Sequence, residues 1–433
     1  MRALIIGNGV SGKAANKLLK KLGYSTYILD ANKKLNSIKL RDRLFSRLSL
    51  LVVSPGVELE HELVKEAKRR RIPVIGELEL GASYLPCEVV AITGTNGKTT
   101  TTSLVGELLN SNNNVFVGGN IGTPVSSFAL NAKCSDRVVL EVSSFQLEST
   151  TYFHPHIACL LNITSDHLNR HKTMKNYIDA KLNIFKNQTC KDYAIINIDD
   201  PLVGSLDLSK FKAQVFYFST KKKCKGCYVE NNNIYFYDGK TTNLIIPVSE
   251  IQLRGEHNLS NVLAGLMCGI ILDIPRDFLA SVIHNFKGVE HRLEYVAEVN
   301  GVKYINDSKA TNISSTLVAI KAMTEPTTLI LGGSDKGYDF DELMLNISAV
   351  IKNIIVVGET KPKILAAAKR CSISNVYEAN TFKEAVKFAA GLAEKGENVL
   401  LSPACASFDM FQNFEQRGKV FKNIVKSLKK RIP

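Results

Sequence analysis

The sequence has no long apolar run. Its longest one, from Val262 to Leu272, is shorter than the roughly 20 residues that a membrane-spanning helix needs. The chain enters a glycine-rich turn at Gly7, which leaves too few residues for the apolar segment of a signal peptide. Short repeats and low-complexity tracts are lacking as well. We therefore expect a cytoplasmic protein that works without a membrane.

Paired cysteines are also lacking. The nine cysteines are scattered and odd in number, which argues against a disulfide framework. Cys224 and Cys227 form a lone CxxC pair, without the second cysteine or histidine pair that a structural zinc site needs. We expect no zinc in this protein.

Acidic residues are fewer than basic ones, 41 against 55, so the net charge is +14. Such a charge can serve nucleic acid, a membrane surface or small anionic molecules. The basic runs at 68–71, 221–223 and 429–431 are short, and none alternates with aromatic residues as in a groove for single strands. We expect no nucleic-acid partner, although a P-loop switch or nucleic-acid motor stays open as an alternative that the charge favours.

The length of the chain predicts several domains. At about 100–200 residues per domain, 433 residues correspond to two to four domains. Strand-like and helix-like runs alternate throughout, which indicates α/β domains with parallel sheets. We expect three such domains, with the borders 1–84, 85–288 and 289–433.

The individual elements follow from the same pattern. The predicted strands are Ala3–Gly7, Ser25–Asp30, Leu50–Ser54, Val74–Gly76, Val89–Thr93, Arg137–Val142, Ala158–Ile163, Tyr193–Ile198, Thr328–Leu331, Asn353–Val357 and Asn398–Leu401, with a hairpin over Tyr228–Tyr237 that turns at Asn231, Asn232 and Asn233. The predicted helices are Lys13–Leu22, Glu62–Arg71, Thr101–Leu109, Asn258–Leu272, 339–350, 362–370, 382–395 and 411–430. We also interpret Glu148 as a helix residue.

The first glycine-rich turn, Gly7-Asn-Gly-Val-Ser-Gly12, follows a strand and opens a helix, and Asp30 ends the second strand. In this motif the glycines let the backbone approach a phosphate at a helix N-terminus, and the acid binds a ribose. Alone, it predicts an NAD-dependent oxidoreductase. Any nucleotide diphosphate fits the same geometry, however, and no hydride-transfer site is recognisable elsewhere.

The second glycine-rich turn, 94–100, follows the strand that ends at Thr93. Backbone N–H groups in such a loop surround phosphate oxygens, Lys98 neutralises the terminal phosphates, and the hydroxyl of Thr99 reaches Mg²⁺. The spacing departs from the general P-loop, because Ile92 stands where the first glycine belongs.

Two residues that follow later strands are candidate metal ligands. Glu141 ends a strand, where a carboxylate ligand for Mg²⁺ belongs. His167 can bind a second metal, although a histidine in this position is more often only a hydrogen-bonded loop residue.

Polar clusters recur in the last third of the chain. They are His291-Arg292, 307–312, 332–337 and 402–409, and we expect them on turns from strand to helix. In an open α/β sheet, ligands bind beyond the carboxyl ends of the strands. These clusters therefore predict a binding site in the third domain.

Together these segments resemble the Mur ligase family. The resemblance spans the whole chain in the family's order, and it depends on the segments 93–99, 118–122, 141–148, 162–167, 255–261, 291–292, 307–312, 402–409 and 413–418. The segments Ser143-Ser-Phe-Gln-Leu-Glu148 and Pro403-Ala-Cys-Ala-Ser407 are similar to those of the branch that adds D-glutamate.

The resemblance implies a Rossmann-like first domain that binds UDP rather than NAD, a P-loop ATPase-like central domain and a Rossmann-like C-terminal domain that binds the amino acid. It implies an ATP-dependent ligase that joins D-glutamate to UDP-N-acetylmuramoyl-L-alanine through an acyl phosphate. That reaction belongs to peptidoglycan synthesis, and so to cell-wall biogenesis, cell shape and cell division. We expect a monomer. Another Mur-type amino-acid ligase is the alternative within the family.

The resemblance also implies roles for individual residues. Those for the UDP substrate are Gly9, Val10, Ser11, Asp30, Ala31, Asn32 and Asn120. Those for ATP are Gly94, Thr95, Asn96, Gly97, Lys98, Thr99, Thr100, Asn258, Asn261, Arg292 and Asp307. Those for D-glutamate are Thr311, Lys336, Ser407, Phe408 and Phe414. The implied ligands of two Mg²⁺ ions are Thr99, Glu141, His167 and Lys181, and the implied catalytic residues are Lys98, His167, Lys181 and Lys309.

The role expected for Lys181 is the most specific of these. The family carries a carbamylated lysine at this position. A bare ammonium would repel Mg²⁺, whereas the carbamate formed with CO₂ is an anionic oxygen ligand. Without the resemblance, Lys181 would be interpreted as one more surface lysine of a helix.

Overall fold

The computed structural model describes residues 1–30, 45–111, 113–253 and 255–429. The chain divides into two compact units, one of residues 1–253 with 257–286 and one of 254–256 with 287–433. Within the described residues, the strands form three sheets, two in the first unit and one in the second. No helix in this part of the chain combines the length and the apolar character that crossing a bilayer requires.

The first sheet is entirely parallel and has the order β2-β1-β3-β4. Its strands are β1 (Arg2–Ile6), β2 (Ser25–Leu29), β3 (Leu50–Val53) and β4 (Val74–Gly76), and its helices are α1 (Val10–Lys21), α2 (Glu62–Arg69) and α3 (Glu77–Ala82). The chain leaves β1 toward β2 on one side and returns to β3 on the other side. Such a reversal opens a crevice at the carboxyl ends of β1 and β3.

The second sheet has nine strands in the order β13-β12-β11-β10-β9-β8-β5-β7-β6. They are β5 (Val89–Thr93), β6 (Val115–Gly119), β7 (Arg137–Glu141), β8 (Ile157–Leu160), β9 (Tyr193–Asn197), β10 (Gln214–Ser219), β11 (Gly226–Glu230), β12 (Asn233–Tyr237) and β13 (Thr242–Pro247). The pairs from β6 to β11 are parallel, and β12 and β13 add an antiparallel edge. Every residue of β5 and β8 is buried, as in parallel strands covered on both faces.

Helices cover this sheet, and polar loops connect them to its strands. They are α4 (Lys98–Leu109), α5 (Val125–Phe128), α6 (Ser144–Leu147), α7 (Leu168–His171), α8 (Met174–Leu182), α9 (Pro201–Gly204), α10 (Glu256–Ile271) and α11 (Arg276–Asn285), with 3₁₀ turns at Asn183–Phe185, Leu208–Lys210 and Val248–Glu250. Helix α10 packs closely on α4, because a Cβ on Gly265 would lie 3.0 Å from the side chain of Leu104.

The sheet of the second unit has the order β14-β15-β19-β16-β17-β18. Its strands are β14 (Glu294–Val299), β15 (Val302–Asn306), β16 (Thr327–Leu331), β17 (Ile351–Val356), β18 (Val376–Glu378) and β19 (Asn398–Leu401). Only the pair β14–β15 is antiparallel among these. The helices are α12 (Ile313–Lys321), α13 (Asp341–Leu345), α14 (Lys361–Arg370), α15 (Phe382–Leu392) and α16 (Phe414–Lys429).

The predicted strands are confirmed with small shifts at their ends, and so is the hairpin, where Asn231 and Asn232 adopt φ values of +48° and +59°. The helix predicted over 339–350 was wrong in extent, because it stops at Leu345 and leaves that side chain 74% exposed. His291 and Arg292 were expected after a strand, but they follow α11 and precede β14. Glu148 is the residue just after α6 and caps its C-terminus.

Candidate active site

A cavity of about 600 Å³ opens at the carboxyl edge of the first sheet. Gly9, Val10 and Ser11 line it, together with Asp30 and the loop 54–57. The turn here is tight, because a Cβ on Gly12 would lie 1.9 Å from the carbonyl oxygen of Gly7. From the second sheet, Asn120 and Gln146 also line this cavity. Ala31 and Asn32, which were predicted to bind the nucleotide, lie outside the described residues.

The second glycine-rich loop connects β5 to α4. Gly97 caps the helix with a φ of +83°, and a Cβ there would lie 2.3 Å from Oδ1 of Asn261. Only glycine fits both the backbone angle and the close approach of α10. The Lys98 ammonium bends back over the loop and donates to the carbonyl oxygens of Gly94 at 2.8 Å and Thr95 at 2.7 Å. Asn261 donates to Asn258 at 3.3 Å, so both predicted asparagines lie together beside this loop.

Thr99 and Glu141 come together at the carboxyl ends of the neighbouring strands β5 and β7. The Thr99 hydroxyl donates to Oε2 of Glu141 at 2.6 Å, and the Asn120 amide donates to Oε1 at 2.8 Å. Glu141 is 2% exposed. A hydroxyl and a carboxylate at this separation are oxygen ligands of the kind that Mg²⁺ prefers. The residue types and their placement therefore fit the first predicted metal site.

Lys181 points into the same region from α8. It is 1% exposed, and its Nζ donates to the carbonyl oxygen of Gly94 at 2.7 Å. Burial lowers the pKa of Lys181 well below its ordinary value, the Lys98 ammonium lowers it further, and Asp166 and Glu141 oppose the shift. The interpretation as a surface lysine is therefore wrong. This environment favours the neutral amine, which is the form that can react with CO₂.

Two residues that sequence reasoning missed hold the loop in place. The Tyr177 hydroxyl lies 3.0 Å from Oγ1 of Thr95, and its ring lies 4.7 Å from Nζ of Lys181. Asn162 accepts from the backbone of Asn96 at 2.8 Å and donates back to its carbonyl at 3.0 Å. The available signal for Tyr177 was its position four residues before Lys181, on the same face of a helix.

His167 follows β8, which neighbours β5 in the sheet. Its backbone is left-handed with a φ of +54°, and it caps the one-turn helix α7. Its Nε2 lies 3.5 Å from Oδ2 of Asp166, and its ring lies 4.7 Å from the ring of Phe145. With its side chain 42% exposed, the imidazole is accessible to a ligand.

The second unit has its own polar edge, where β15, β16 and β19 end. Asp307 is 4% exposed and accepts hydrogen bonds from the backbone of Leu293 at 3.2 Å and the hydroxyl of Ser402 at 2.8 Å. Burial raises the pKa of Asp307 to about 6, although the charge of Arg292 works against this shift. The Nε of Arg292 is buried and has no hydrogen-bond partner among the residues that the structure describes.

This pKa predicts a pH-dependent stability. Between 3.8, the ordinary pKa of an aspartate, and about 6, the folded unit holds a proton that the unfolded chain has released. The ionised Asp307 therefore destabilises the fold progressively as the pH rises through this window. We expect Asp307→Asn, which cannot ionise, to be more stable than the wild type at pH 7, by a free energy of unfolding on the order of 2–3 kcal/mol.

Melting curves of both proteins between about pH 4 and pH 7 check this expectation. The two melting temperatures should converge toward the acidic end of that range. Equal melting temperatures at pH 7 would show that Asp307 ionises in the folded protein at no cost.

Two of the contacts that the structure describes in the second unit join residues predicted for the amino acid and its approach. The Lys309 ammonium lies 5.4 Å from the ring centre of Phe414, and Nζ of Lys336 donates to the carbonyl oxygen of Thr311 at 3.1 Å. Ser407 is 2% exposed, whereas Phe408 is 73% exposed.

Arg417 was missed as a functional candidate. It is 1% exposed and donates to Ser308 (Oγ at 3.0 Å and the carbonyl at 2.8 Å), Cys405 at 3.0 Å and Ala406 at 3.1 Å. It thereby joins the loop that carries Lys309 to the loop that carries Ser407.

Two family models match the chain. The Mur ligase middle domain matches residues 92–269, and the glutamate ligase domain of Mur ligases matches residues 291–405. The first match contains the loop 94–100, Glu141, His167 and Lys181. The second contains Asp307, Lys309 and Lys336.

Whole-length relatives agree with these matches. The chain is 42% identical to the UDP-N-acetylmuramoylalanine--D-glutamate ligase of Caldanaerobacter subterraneus subsp. tengcongensis and 43% identical to that of Thermoanaerobacter sp., with 99% of each chain covered in both cases. Among solved structures, it is similar to the MurF ligase from Thermotoga maritima in complex with ADP, with a TM-score of 0.62 and 18% identity over 99% of this chain and 95% of that one.

Proposed function

The chain belongs to the Mur ligase family, and from that premise we propose that it is the ATP-dependent ligase that joins D-glutamate to UDP-N-acetylmuramoyl-L-alanine in peptidoglycan synthesis. One observation carries the proposal: relatives that are 42–43% identical over 99% of both chains are ligases for this pair of substrates. The loop 94–100 supports ATP as the source of energy, because it contains Lys98 and Thr99 and lies against Glu141.

We assign the three substrates to three domains, 1–84 for the UDP portion, 85–288 for ATP and 289–433 for D-glutamate. The cavity beyond β1 and β3 supports the first assignment, because Gly9, Val10, Ser11 and Asp30 line it, and Asn120 reaches it from the middle sheet. Asn258 and Asn261 lie beside the P-loop, so they are proposed for ATP. Two residues of the third domain, Arg292 and Asp307, are proposed for ATP as well. The other residues proposed there, Thr311, Lys336, Ser407, Phe408 and Phe414, are for the amino acid.

The chemistry requires a carboxylate to become an electrophile. ATP transfers its terminal phosphoryl group to the substrate carboxylate and ADP leaves. The amine of D-glutamate then attacks the acyl phosphate, and phosphate leaves from a tetrahedral intermediate. Negative charge accumulates on the oxygens in both steps, so cationic groups placed beforehand lower the barriers. We propose that Lys98 serves the phosphoryl transfer and Lys309 the attack of the amine.

Two Mg²⁺ ions would neutralise phosphate oxygens in this site. Thr99 and Glu141 are the proposed ligands of one ion, and their 2.6 Å contact supports a shared position. His167 and a carbamylated Lys181 are proposed for the other. The carbamate proposal is supported by the complete burial of Lys181 and its lowered pKa, since a neutral amine is the nucleophile that CO₂ needs.

A phosphate-release assay tests the function. We expect the purified protein to release phosphate from ATP only when UDP-N-acetylmuramoyl-L-alanine and D-glutamate are both present, with formation of the amide product. L-Alanine, L-lysine and meso-diaminopimelate in place of D-glutamate should give little product. Activity with one of these instead would indicate another Mur-type ligase. Phosphate release without either substrate would indicate a P-loop switch, and no amide bond under any condition would refute the proposal.

A further inference from the structure

Arg170 occupies a junction between the two sheets of the first unit. Its guanidinium is mostly buried, with 11% of the side chain exposed. Nη1 donates to the carbonyl oxygen of Pro55 at 2.9 Å, and Nη2 donates to that of Val57 at 3.1 Å. Both carbonyls belong to the loop that follows β3, so the guanidinium holds this loop from a helix of the second sheet.

The same guanidinium is held by α6 and the residue after it. Nε and Nη2 donate to Oε2 of Glu148 at 3.2 and 2.8 Å, and the guanidinium carbon lies 4.3 Å from the ring centre of Phe145. Glu148 is held in turn by His171, whose Nδ1 lies 3.0 Å from Oε1 of Glu148. A planar cation with several fixed donors can satisfy all these partners at once, which a lysine ammonium cannot.

His167 shares its supports with Arg170. The backbone N–H of Arg170 donates to the carbonyl oxygen of His167 at 3.1 Å, within the single turn of α7. The Phe145 ring also contacts both side chains, since its centre lies 4.7 Å from that of the His167 imidazole. A displacement of Arg170 therefore moves the imidazole and the loop 55–57 relative to each other.

The loop 55–57 is a wall of the 600 Å³ cavity, which the glycine-rich turn that carries Gly9 and Val10 also lines. At its start, the backbone N–H of Ser54 donates to the carbonyl oxygen of Ile6 at 3.0 Å, which fixes the loop to β1. Beyond that point, the carbonyls of Pro55 and Val57 are held by Arg170.

We propose that Arg170 is a positioning residue that fixes loop 55–57, a wall of the sugar-nucleotide cavity, at a set position relative to His167. This relative position determines where the carboxylate to be activated lies relative to the catalytic metal. The inference rests on the proposed function, because it takes the cavity as the site of the UDP substrate and His167 as a metal ligand.

Steady-state kinetics of Arg170→Lys and Arg170→Ala test this role. We expect the KM for UDP-N-acetylmuramoyl-L-alanine, and its Kd measured without ATP, to rise roughly tenfold or more, which is the effect of losing charge-assisted hydrogen bonds. The KM for ATP should stay within about twofold of the wild type, because Arg170 takes no part in the P-loop contacts that the structure describes. Added methylguanidinium should restore part of the affinity in Arg170→Ala.

Arg137→Ala is the matched control. Arg137 is a partly buried arginine of the same sheet, and it pairs with Glu88 at 2.9 Å at the other end of β7. This variant should keep the kinetic constants of the wild type. If Arg170→Ala does not fold, the comparison of Arg170→Lys with this control still decides the question.

Two results would overturn the inference. One is a Kd for the UDP substrate in Arg170→Lys that equals that of the wild type. The other is an equal rise of the KM values for the UDP substrate, ATP and D-glutamate. Either result leaves the proposed function intact, provided that the wild type makes the amide product. A wild type that makes no product would refute the proposed function itself, and the inference would fall with it.

Discussion

Replacing Lys98 with alanine is expected to lower kcat by about 10²–10³-fold or more while the UDP substrate still binds with its normal affinity. The ammonium of Lys98 lies against the carbonyls of the loop that we propose for the ATP phosphates. The transferred phosphoryl group carries its charge on oxygens that such a cation stabilises, and electrostatic stabilisation of this kind is a main source of catalysis in phosphoryl transfer.

Binding of the UDP substrate should survive because a different sheet provides most of its site. The cavity beyond β1 and β3 has no contribution from Lys98 among the residues that line it in the described structure. Calorimetric titration with UDP-N-acetylmuramoyl-L-alanine and a phosphate-release assay measure the two properties separately. Lys65→Ala is a suitable control, because that exposed lysine pairs only with the exposed Glu60 at 2.8 Å among the contacts described. A loss of UDP-substrate affinity in Lys98→Ala would show that the domain assignment is wrong.

The sequence predicts much of this fold because its strands are short, apolar and bounded by glycine or polar turns. β8 is a continuous apolar run and β5 is one up to its last residue, Thr93, and the structure buries both strands completely. The loop between β5 and α4 was also predictable, since its glycines, lysine and threonine each meet a physical requirement of phosphate binding. Thr99 was predicted as a magnesium ligand from the P-loop pattern and Glu141 from its place at the end of a strand, and the two side chains are in contact.

The buried arginines could not be predicted in the same way. Arg417 contacts Ser308 across 109 positions of the sequence, and Arg170 contacts Pro55 across 115. Such contacts depend on how loops from different strands meet. Arg417 belongs to the segment 413–418 that carries the resemblance, but neither its neighbours nor those of Arg170 show an apolar periodicity that predicts a buried arginine. The helix predicted at 339–350 failed for a related reason. It ends at Leu345, and the described structure leaves that side chain 74% exposed, so this apolar residue did not indicate a buried helix face.

Lys181→Ala is expected to lose nearly all activity, and acetate or formate should restore part of it. In our proposal the carbamate of Lys181 provides an anionic oxygen to a metal, and alanine removes that oxygen. The side chain is 1% exposed, so its removal leaves a space into which a small carboxylate can enter. Within the described structure, the carbonyl oxygen of Gly94 also loses its 2.7 Å donor, which couples the change to the P-loop.

The rescue experiment separates the carbamate from a purely structural role. Activity is measured at increasing acetate or formate concentration in Lys181→Ala and in the control Lys186→Ala. Lys186 is an exposed lysine just after the same helical segment. Acetate should raise the rate of the first variant and leave the second unchanged. A structural role predicts a lost activity that no carboxylate restores, and full activity in Lys181→Ala would exclude any role of the carbamate.

The lowered pKa of Lys181 adds a condition on the wild type, because only the neutral amine captures CO₂. Removing CO₂ and bicarbonate from the buffer should therefore inactivate the wild type reversibly and leave the acetate-rescued variant unaffected.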